Sequence, residues 1–293
     1  MNRTQTSGQW RGWLYVAPAL LFVAVFVLVP FGQLAAMSMT DRSLLGGGRF
    51  IGLGNYVRIW NDAGFWRALL FTVKYTVVLT PILMVLGFAL ALLTADNTPL
   101  RRLTRTIVFL PVVIGLSSSS LLWFWLFDEQ VGLFNKLLVD VRVIAQPVVW
   151  FASADLAFWA VVISITWKVV GFGMVLFIAA IQSIDREILE AAVVDGAGYW
   201  RRAVFIIVPL SRRIILLATL VSAIGSMLAF DQFYIMTSGG PRGQTFTAVY
   251  WIYQNSFVSF RLGYGAALSI VLTLIILAFS TLQIGLTARS EAR

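Results

Sequence analysis

Six long apolar stretches, separated by shorter polar segments, organise this 293-residue chain. An α-helix needs roughly 20 mainly apolar residues to cross the hydrocarbon core of a bilayer, and each stretch reaches that length. The pattern therefore predicts an all-α, polytopic membrane protein with six transmembrane helices. The first stretch is longer than the apolar part of a secretory signal, so we interpret it as a retained span. The predicted spans are residues 13–37, 68–95, 106–127, 156–182, 214–237 and 263–287.

The composition indicates that lipid is the solvent for much of this surface. Hydrophobic residues make up 59% of the chain and charged residues only 12%, whereas an ordinary soluble domain is about 25% charged. A soluble fold of this size could not bury so much apolar surface. We therefore predict one transmembrane domain, residues 13–287, between a cytoplasmic N-terminal tail, 1–12, and a cytoplasmic C-terminal tail, 288–293.

The arginines predict the orientation of the chain. Lys and Arg collect in cytoplasmic loops of membrane proteins, and the short loop 96–105 alone holds three arginines. We therefore predict that both termini and the loops 96–105 and 183–212 are cytoplasmic. The same rule accounts for the net charge of +9, so we predict a lipid bilayer and no nucleic acid as partner. The loops predicted to face outward lie near residues 38–67, 128–155 and 238–262.

The residue types that are missing exclude several chemistries. The chain has no Cys and no His, which removes disulfides, thiolate and imidazole catalysis, and the usual zinc sites. None of its three lysines, Lys74, Lys136 and Lys168, ends the glycine-rich loop G-x-x-x-x-G-K-[ST] that cradles phosphates. We therefore predict no metal, no cofactor and no catalytic residue in this chain. If the protein uses ATP, another polypeptide binds it.

Polar side chains inside the predicted spans are candidates for solute binding, because such groups are costly in lipid and usually face the bundle interior. They are Lys168, Asp231, Ser119 within the serine run 117–120, and the pair Ser222 and Ser226, which shares one helix face. A structural role is equally open for each. Serines bond within their own helix, a lysine reaches toward an interface, and the aspartate lies at the outer end of its helix.

Four aromatic residues in or near the same spans extend this set. An aromatic face stacks on the apolar C–H face of a sugar ring, while hydroxyl and amide groups bond the ring's hydroxyls. The combination predicts a polar cavity at the middle of the membrane that suits a polyhydroxylated solute. The aromatic candidates are Trp123, Trp167, Phe172 and Phe230.

A compact polar segment, EILEAAVVDGAGYWRRAVFIIVPL at residues 187–210, separates the fourth and fifth predicted spans. It resembles the cytoplasmic "EAA" signature of binding-protein-dependent ABC importer permeases. Two positions depart from the usual pattern. Arg213 stands where the family often has Pro, and Asp185 replaces a Pro ahead of the segment, where Asp can cap a helix instead. The matching residues are Glu190, Ala191, Ala192, Asp195, Gly196, Ala197 and Pro209.

Other segments resemble the same family. FIGLGNY (50–56) with FWRAL (65–69) is similar to its first outer loop, and IQSID (181–185) to the run before the EAA signature. TSGGPRGQT (237–245) resembles its Thr-x-Gly-Gly-Pro outer loop, here containing Gly239, Gly240 and Pro241. Together these segments point to the maltose/glycerol-3-phosphate type, and within it to the first of two paired permeases.

The resemblance implies a type I ABC importer permease in a bacterial inner membrane, moving a sugar or sugar-like solute inward. Its implied partners are a second permease, an extracytoplasmic solute-binding protein that meets the Gly-Gly-Pro loop, and two ATPase subunits that hold ATP and Mg. The helix around Glu190, in a loop of about 183–212, would couple to the ATPases. The positions onto which the family's solute pocket maps are Ile165, Lys168, Val169, Phe172, Ser222, Gly225, Ser226 and Ala229.

Two other functions remain as alternatives. A self-sufficient secondary transporter of a small polar solute predicts inverted repeats and broken helices around carboxylates; the sequence shows neither, and Asp231 is the strong carboxylate candidate within a span. An intramembrane enzyme would lack His, Cys and paired carboxylates within the spans. The sequence does not name the solute: maltose-type, glycerol-phosphate, amino-sugar and sulfosugar ligands all stay open.

Overall fold

A computed structural model describes residues 6–291 of the chain, and the regular secondary structure of this part is helical apart from two isolated β-bridges. Four of its helices are long and apolar enough to cross a membrane, or six if each of two bent helix pairs counts as one span. The helices are α1 (Thr6–Val23), α2 (Val29–Ser38), α3 (Gly54–Trp60), α4 (Ala63–Thr94), α5 (Pro99–Val113), α6 (Leu116–Leu126), α7 (Leu133–Asp140), α8 (Ala154–Gln182), α9 (Arg186–Val194), α10 (Tyr199–Arg202), α11 (Val208–Leu210), α12 (Arg212–Met227), α13 (Asp231–Thr237), α14 (Ala248–Tyr253) and α15 (Leu262–Glu291).

Four of the predicted spans are confirmed as continuous apolar helices. The first runs through a π-helical turn at Ala24–Leu28 that joins α1 to α2, and the second, α4, begins five residues before its predicted start. The fourth and sixth agree with α8 and α15 to within a few residues. These spans were predictable because each is one unbroken helix, which appears in the sequence as one unbroken apolar stretch of the length needed to cross a bilayer.

The predicted third span, 106–127, is wrong as a single helix. It consists of α5 and α6, which meet at 101°. The chain is extended at Ile114 and Gly115, so the hydrogen bonds of α5 do not continue into α6. Hydropathy reports apolar length and not backbone continuity, so the break was invisible in the apolar pattern.

The predicted fifth span, 214–237, is also two helices. α12 ends at Met227 and α13 starts at Asp231, with non-helical residues between them. The carbonyl of Ala229 in this gap accepts a hydrogen bond from Thr247 Oγ1 at 2.7 Å. The bond that the broken helix loses is thus replaced by a side chain 18 residues away, which no local pattern reveals. A further bend of 75° separates Tyr199–Leu210 from α12.

The chain forms two compact units, residues 6–62 with Ile252–Ile275, and Ala63–Trp251 with 276–291. In the first unit, Asn55 of the FIGLGNY segment is buried and donates its amide to the carbonyls of Ser38 and Thr40, both at 2.8 Å. Tyr264 donates to Asp62 Oδ2 at 2.6 Å. Buried amide bonding of this kind explains why the segment carries Asn between apolar residues.

In the second unit, α8 is the most buried span and packs against α4, α5 and α12. Small residues allow the backbones to approach, as is usual between helices in lipid. A Cβ on Gly87 of α4 would lie 3.4 Å from the backbone of Gly173. One end of this unit is closed by a core of Ala91, Met174, Phe177, Ile178, Ile181, Ile207 and Ala218.

Arg105 fixes the loop between α4 and α5 to the end of α4. Its guanidinium donates to the carbonyls of Thr94, Ala95 and Asp96 at 2.6, 2.8 and 2.9 Å. These carbonyls have no partner within the helix, and a cation there also complements the helix dipole. Gln182 at the end of α8 donates to Ala95 as well, at 3.3 Å. The loop 96–105 and the entry to 183–212 therefore lie at the same end of this unit.

Candidate functional site

The break between α5 and α6 is held by Lys168 of α8. The ammonium group donates to the carbonyls of Ile114 at 2.6 Å and of Pro111 and Val112 at 3.4 Å. The three carbonyls lie where α5 ends, that of Pro111 also accepts from the N–H of Ile114 at 3.2 Å, and the Lys168 side chain is only 8% exposed. A sequence-predicted solute residue is therefore placed where it satisfies a broken helix.

The second break lies against the first. Asp231, the first residue of α13, accepts a hydrogen bond from Ser117 Oγ in the first turn of α6 at 3.1 Å, and the two helices pack together. A carboxylate is stabilised beside helix N-termini, where backbone N–H groups are unpaired. The next residue, Gln232, is buried and donates to Tyr75 of α4 at 3.3 Å. Thus a positively charged side chain, Lys168, lies at the first helix break, and a negatively charged one, Asp231, lies at the adjoining second break.

The predicted serines bond back into their own helices. Ser119 and its neighbour Ser120 both donate to the carbonyl of Leu116 at 2.9 Å, and Ser226 donates to the carbonyl of Ser222 at 2.7 Å. Ser119 and Ser226 are only 3% and 4% exposed. Their hydroxyl protons are therefore used, although each oxygen can still accept a hydrogen bond.

The aromatic candidates divide into separate clusters. Trp123 is buried, stacks on Phe134 with ring centres 5.4 Å apart, and meets the edge of Trp167 at 5.6 Å. Its indole N–H is buried, and no acceptor contacts it within residues 6–291. Phe230 stacks instead on Tyr234 at 5.2 Å. Phe172 is 41% exposed on α8.

Gly225 lies exposed on α12, where an added Cβ would meet open space. The contacts of the described residues join Asp231 to Ser117 and Trp123 to Trp167, but they do not join Phe172, Ser222 or Gly225 to either pair. The sequence did not single out Arg105 or Asn135, the latter a buried residue whose amide ties together the loop 128–150. A polar residue in an apolar stretch was the available signal for Asn135.

The Gly-Gly-Pro loop, residues 237–246, is held in shape by internal hydrogen bonds and by the ring of Phe246, and we call it the Gly-Gly-Pro knob. Thr237 and Thr245 share a hydrogen bond of 2.8 Å, and Thr245 also donates to the carbonyl of Gly240 at 2.8 Å. The ring of Phe246 lies against Gly239, where an added Cβ would overlap it, and Gly239 has a φ of +76°. The peptide bond between Gly240 and Pro241 is cis. Glycine is required at 239 for space as well as for backbone conformation.

The EAA segment forms a short exposed helix with a defined end. α9 covers Glu190, Ala191 and Ala192 and ends at Val194, with Asp195 as the residue that caps it. The N–H of Gly196 bonds the carbonyl of Val193 at 3.0 Å, and the N–H of Ala197 bonds that of Ala192 at 2.9 Å. This pair of bonds, with φ +76° at Gly196, is the Schellman helix ending, in which a left-handed residue follows the last turn. The chain therefore bends tightly at Gly196.

The two faces of α9 differ in burial. Ala192 is 8% exposed, whereas Glu190 and Ala191 are exposed and Val194 is 87% exposed. Trp200, in the next short helix, is 73% exposed. Asp185 stands just before α9 as predicted, but its side chain bonds no N–H of the first turn. Pro209 lies in α11, directly ahead of the bend at Ser211.

Replacing Gly196 with alanine is expected to loosen the end of α9. The left-handed backbone costs a non-glycine residue about 1–2 kcal/mol. No atom lies within 4 Å of the added Cβ, so the effect comes from the backbone conformation and not from a steric clash. Faster hydrogen–deuterium exchange of residues 195–200 in the purified protein should report it. Gly198→Ala is the matched control, because φ at Gly198 is −63° and the surroundings are equally open. Equal exchange in both variants would contradict the role assigned to Gly196.

Comparison with known proteins identifies the family. Residues 64–293 match the family described as binding-protein-dependent transport system inner membrane component. The chain belongs to this family. It is 38% identical to the lactose transport system permease protein LacF of Rhizobium radiobacter, over 93% of this chain and 92% of that protein. It is 32% identical to AmyD of Thermoanaerobacterium thermosulfurigenes, a probable starch degradation products transport system permease protein, over 97% and 96%.

Solved structures agree on the fold. A bacterial alginate ABC transporter, crystallised with an alginate pentasaccharide-bound periplasmic protein, contains a chain that superposes with a TM-score of 0.85 at 19% identity, covering 97% of this chain and 96% of that one. The chain therefore has the type I ABC importer permease fold, and the sequence-based resemblance is confirmed. Broken helices, which the secondary-transporter alternative required, are present, but family membership assigns the protein to ABC permeases instead.

Proposed function

We propose that this chain is a transmembrane permease subunit of an ATP-driven ABC importer, and that it moves a sugar or sugar-like solute inward. The observation that carries the proposal is the exposed, glycine-terminated α9 in a chain that belongs to the binding-protein-dependent permeases. The named relatives for lactose and for starch degradation products favour a saccharide. The chain itself performs no hydrolysis; ATP and Mg belong to partner ATPase subunits.

The proposed assembly contains a second homologous permease, two ATPases and an extracytoplasmic solute-binding protein. The exposed side of α9, with Glu190 and Ala191, and the turn after it, with Asp195 and Ala197, dock on an ATPase. Two small residues permit close approach, and a carboxylate pairs with a basic partner residue. The binding protein meets the knob at Gly239, Gly240 and Pro241. ATP-driven closure of the ATPases then reorients the permeases as rigid bodies between two states.

The proposed membrane arrangement follows the arginines. The chain spans a bacterial inner membrane several times, with the loops 96–105 and 183–212 and both termini in the cytoplasm. The tails 1–12 and 288–293 flank the transmembrane domain 13–287; residues 1–5 and 292–293 lie outside the described part of the structure. Arg105 of α5 and Gln182 of α8 both donate to the carbonyl of Ala95, just after α4, which supports a shared side for the two loops.

The proposed solute path follows the two helix breaks. Asp231 supplies a hydrogen-bond acceptor for this path, and the aromatic groups come from Trp167, Phe172 and Phe230. The buried indole N–H of Trp123 is a donor that has no acceptor within residues 6–291. Irregular backbone at membrane depth is tolerated where it lines a cavity or is buried in protein, which favours the breaks as the place where the solute passes. The remaining residues proposed for this path are Lys168, Ser119, Ser222, Gly225 and Ser226.

Gentle extraction of the protein from its native membrane tests the assembly. Mass spectrometry of what stays bound should find a second permease and an ATPase in twofold excess. Reconstitution of that complex with its binding protein should give ATP-dependent solute uptake. A chain that purifies alone under mild detergent, and that transports without ATP, would overturn the proposal in favour of a secondary transporter.

The variant Glu190→Lys is expected to uncouple ATP hydrolysis from uptake. Reversing a charge at a docked helix leaves the partner's basic residue unpaired, so uptake should fall by about tenfold or more while the protein still inserts. The measurement compares uptake and ATP hydrolysis in proteoliposomes. Glu187→Lys, an exposed reversal in the first turn of the same helix, is the control and should transport nearly normally. Normal uptake by Glu190→Lys would contradict the proposed role of α9 in coupling to the ATPases.

A further inference from the structure

A small pocket opens beside the Gly-Gly-Pro knob on the face predicted to be outside. It has a volume of about 260 Å³ and lies between the first turns of α4 and residues 242–251. Its wall includes the side chains of Arg67, Arg242, Gln244 and Trp251. None of these residues belongs to the proposed solute path or to the coupling helix.

The pocket concentrates positive charge without a counterion. No carboxylate lines it, and neither Arg67 nor Arg242 forms an ion pair within residues 6–291. Within residues 6–291, the guanidinium of Arg67 donates one hydrogen bond, from Nε to the carbonyl of Ala63 at 3.2 Å. Two guanidinium groups around one small space repel each other when it is empty and attract an anion, which they can bind through several parallel N–H bonds.

The backbone holds Arg242 in place at some conformational cost. Arg242 and Ser238 both have positive φ, +51° and +48°, a region that non-glycine residues seldom adopt. The loop persists in this form because the hydrogen bond between Thr237 and Thr245, and the ring of Phe246 beneath the glycines, fix it from inside. An outlier that its surroundings enforce is typical of a binding site, where a fixed side chain loses little freedom on binding.

We propose that this Arg67–Arg242 pocket receives a carboxylate side chain of the extracytoplasmic solute-binding protein. The assignment rests on the proposed function. The volume suits a single side chain entering from a docked surface, and two guanidiniums with an amide beside them match one carboxylate. A carboxylate on the solute would be a second source of the same chemistry. The protein source is preferred because the pocket lies beside the Gly-Gly-Pro knob, where the proposed binding protein docks, and outside the proposed solute path.

The test uses the assembled importer in proteoliposomes and the binding protein that co-purifies with it. ATP hydrolysis is titrated against the concentration of binding protein for wild type, Arg67→Gln and Arg242→Gln. The half-saturating concentration should rise by about tenfold or more in both variants, with the maximal rate unchanged, because the charge acts in docking and not in hydrolysis. Raising the salt concentration should weaken the wild type more than either variant.

Three control variants separate charge from backbone and from general attraction. Arg242→Lys keeps the charge and should retain most of the wild-type response. Arg242→Gly accommodates the positive φ but removes the charge, so it should behave like Arg242→Gln. Lys136→Gln removes an exposed cation elsewhere in the predicted outer loops and should leave the titration unchanged. A Gly variant that titrates like wild type would show that the loop conformation alone matters, and it would overturn the proposal.

A second arm examines the solute as source. D-glucuronate and D-glucose are titrated into the complex without binding protein, and the fluorescence of Trp251 is followed against a Trp251→Phe complex. A glucuronate-specific signal that Arg67→Gln abolishes, together with an unchanged binding-protein titration, would assign the pocket to a solute carboxylate and overturn the proposal. If the wild-type complex responds to its binding protein and Arg67→Gln and Arg242→Gln give the same titration, the proposal for the pocket is overturned and the proposed function is not. A wild-type complex that ignores its binding protein overturns the proposed function itself.

Discussion

The variant Gly171→Ala is expected to prevent α5 and α8 from packing as they do. A Cβ at this position would overlap the carbonyl oxygen of Val108 and lie 2.9 Å from the Cα of Phe109. Both atoms belong to the backbone of α5, so no side chain can rotate away, and the helices must separate. Overpacking of a core costs about 1–3 kcal/mol, and we expect a backbone clash to lie at the top of that range or above it.

The measurement for Gly171→Ala is the melting temperature of the detergent-purified protein, followed by size-exclusion chromatography. Gly32→Ala is the matched control, because Gly32 also lies in an apolar helix but has no atom within 4 Å of the added Cβ. We expect the control to melt with the wild type and Gly171→Ala to melt lower or to aggregate. Indistinguishable melting of the two variants would show that α5 and α8 are not held at this distance.

The variant Lys168→Met is expected to give the second large effect. Methionine keeps the length of the side chain but leaves the carbonyls of Pro111, Val112 and Ile114 without the donor that they share. A hydrogen bond to a charged group contributes about 1.5–3 kcal/mol, and the three acceptors lie where water is scarce. We therefore expect a clear loss of thermal stability and, since the break borders the proposed solute path, a loss of uptake.

Two readouts separate the structural role of Lys168 from solute binding. If Lys168 acts by holding the break, Lys168→Met lowers the melting temperature whether or not solute is present. If it contacts the solute instead, the variant melts like wild type and only the concentration needed for half-maximal uptake rises. Lys74→Met is the control, because Lys74 forms an exposed ion pair with Asp155 at 3.7 Å that contributes about 0–1 kcal/mol.

Lys168 and Gly171 act on the same helix from adjoining positions. They lie three residues apart on α8, so they share a face, and both contact α5. Gly171 brings the backbone of α5 close at Val108, and Lys168 binds the carbonyls where α5 ends. The contacts with α8 thus hold α5 in place up to the residue where the first break begins.

The EAA segment was the part of the candidate site whose local structure followed most directly from the sequence. Its information is local: Gly196 supplies the left-handed residue two positions after the end of α9, and the hydrogen bonds that end the helix join residues within five positions. A short motif can encode such a structure completely. The exposure of Glu190 follows in the same way from its place on a short helix with one buried face.

The candidate solute residues were predicted less well, because their roles depend on distant partners. The sequence indicated that Lys168 and Asp231 were unusual in a membrane, but not that Lys168 would bond carbonyls 54–57 residues away or that Asp231 would bond Ser117, 114 residues away. For Ser119 and Ser226 the structural interpretation, a bond back to the same helix, was available at the outset and is the one observed.

The sequence by itself determined the solvent, the number of apolar segments and the family, because apolar length and short motifs are properties of consecutive residues. Tertiary structure alone decided which segments are continuous helices. A helix in lipid can break only where its freed carbonyls find new donors, and those donors are Lys168 at the first break and Thr247 at the second. Both come from other parts of the chain, so the breaks exist only once the chain has folded.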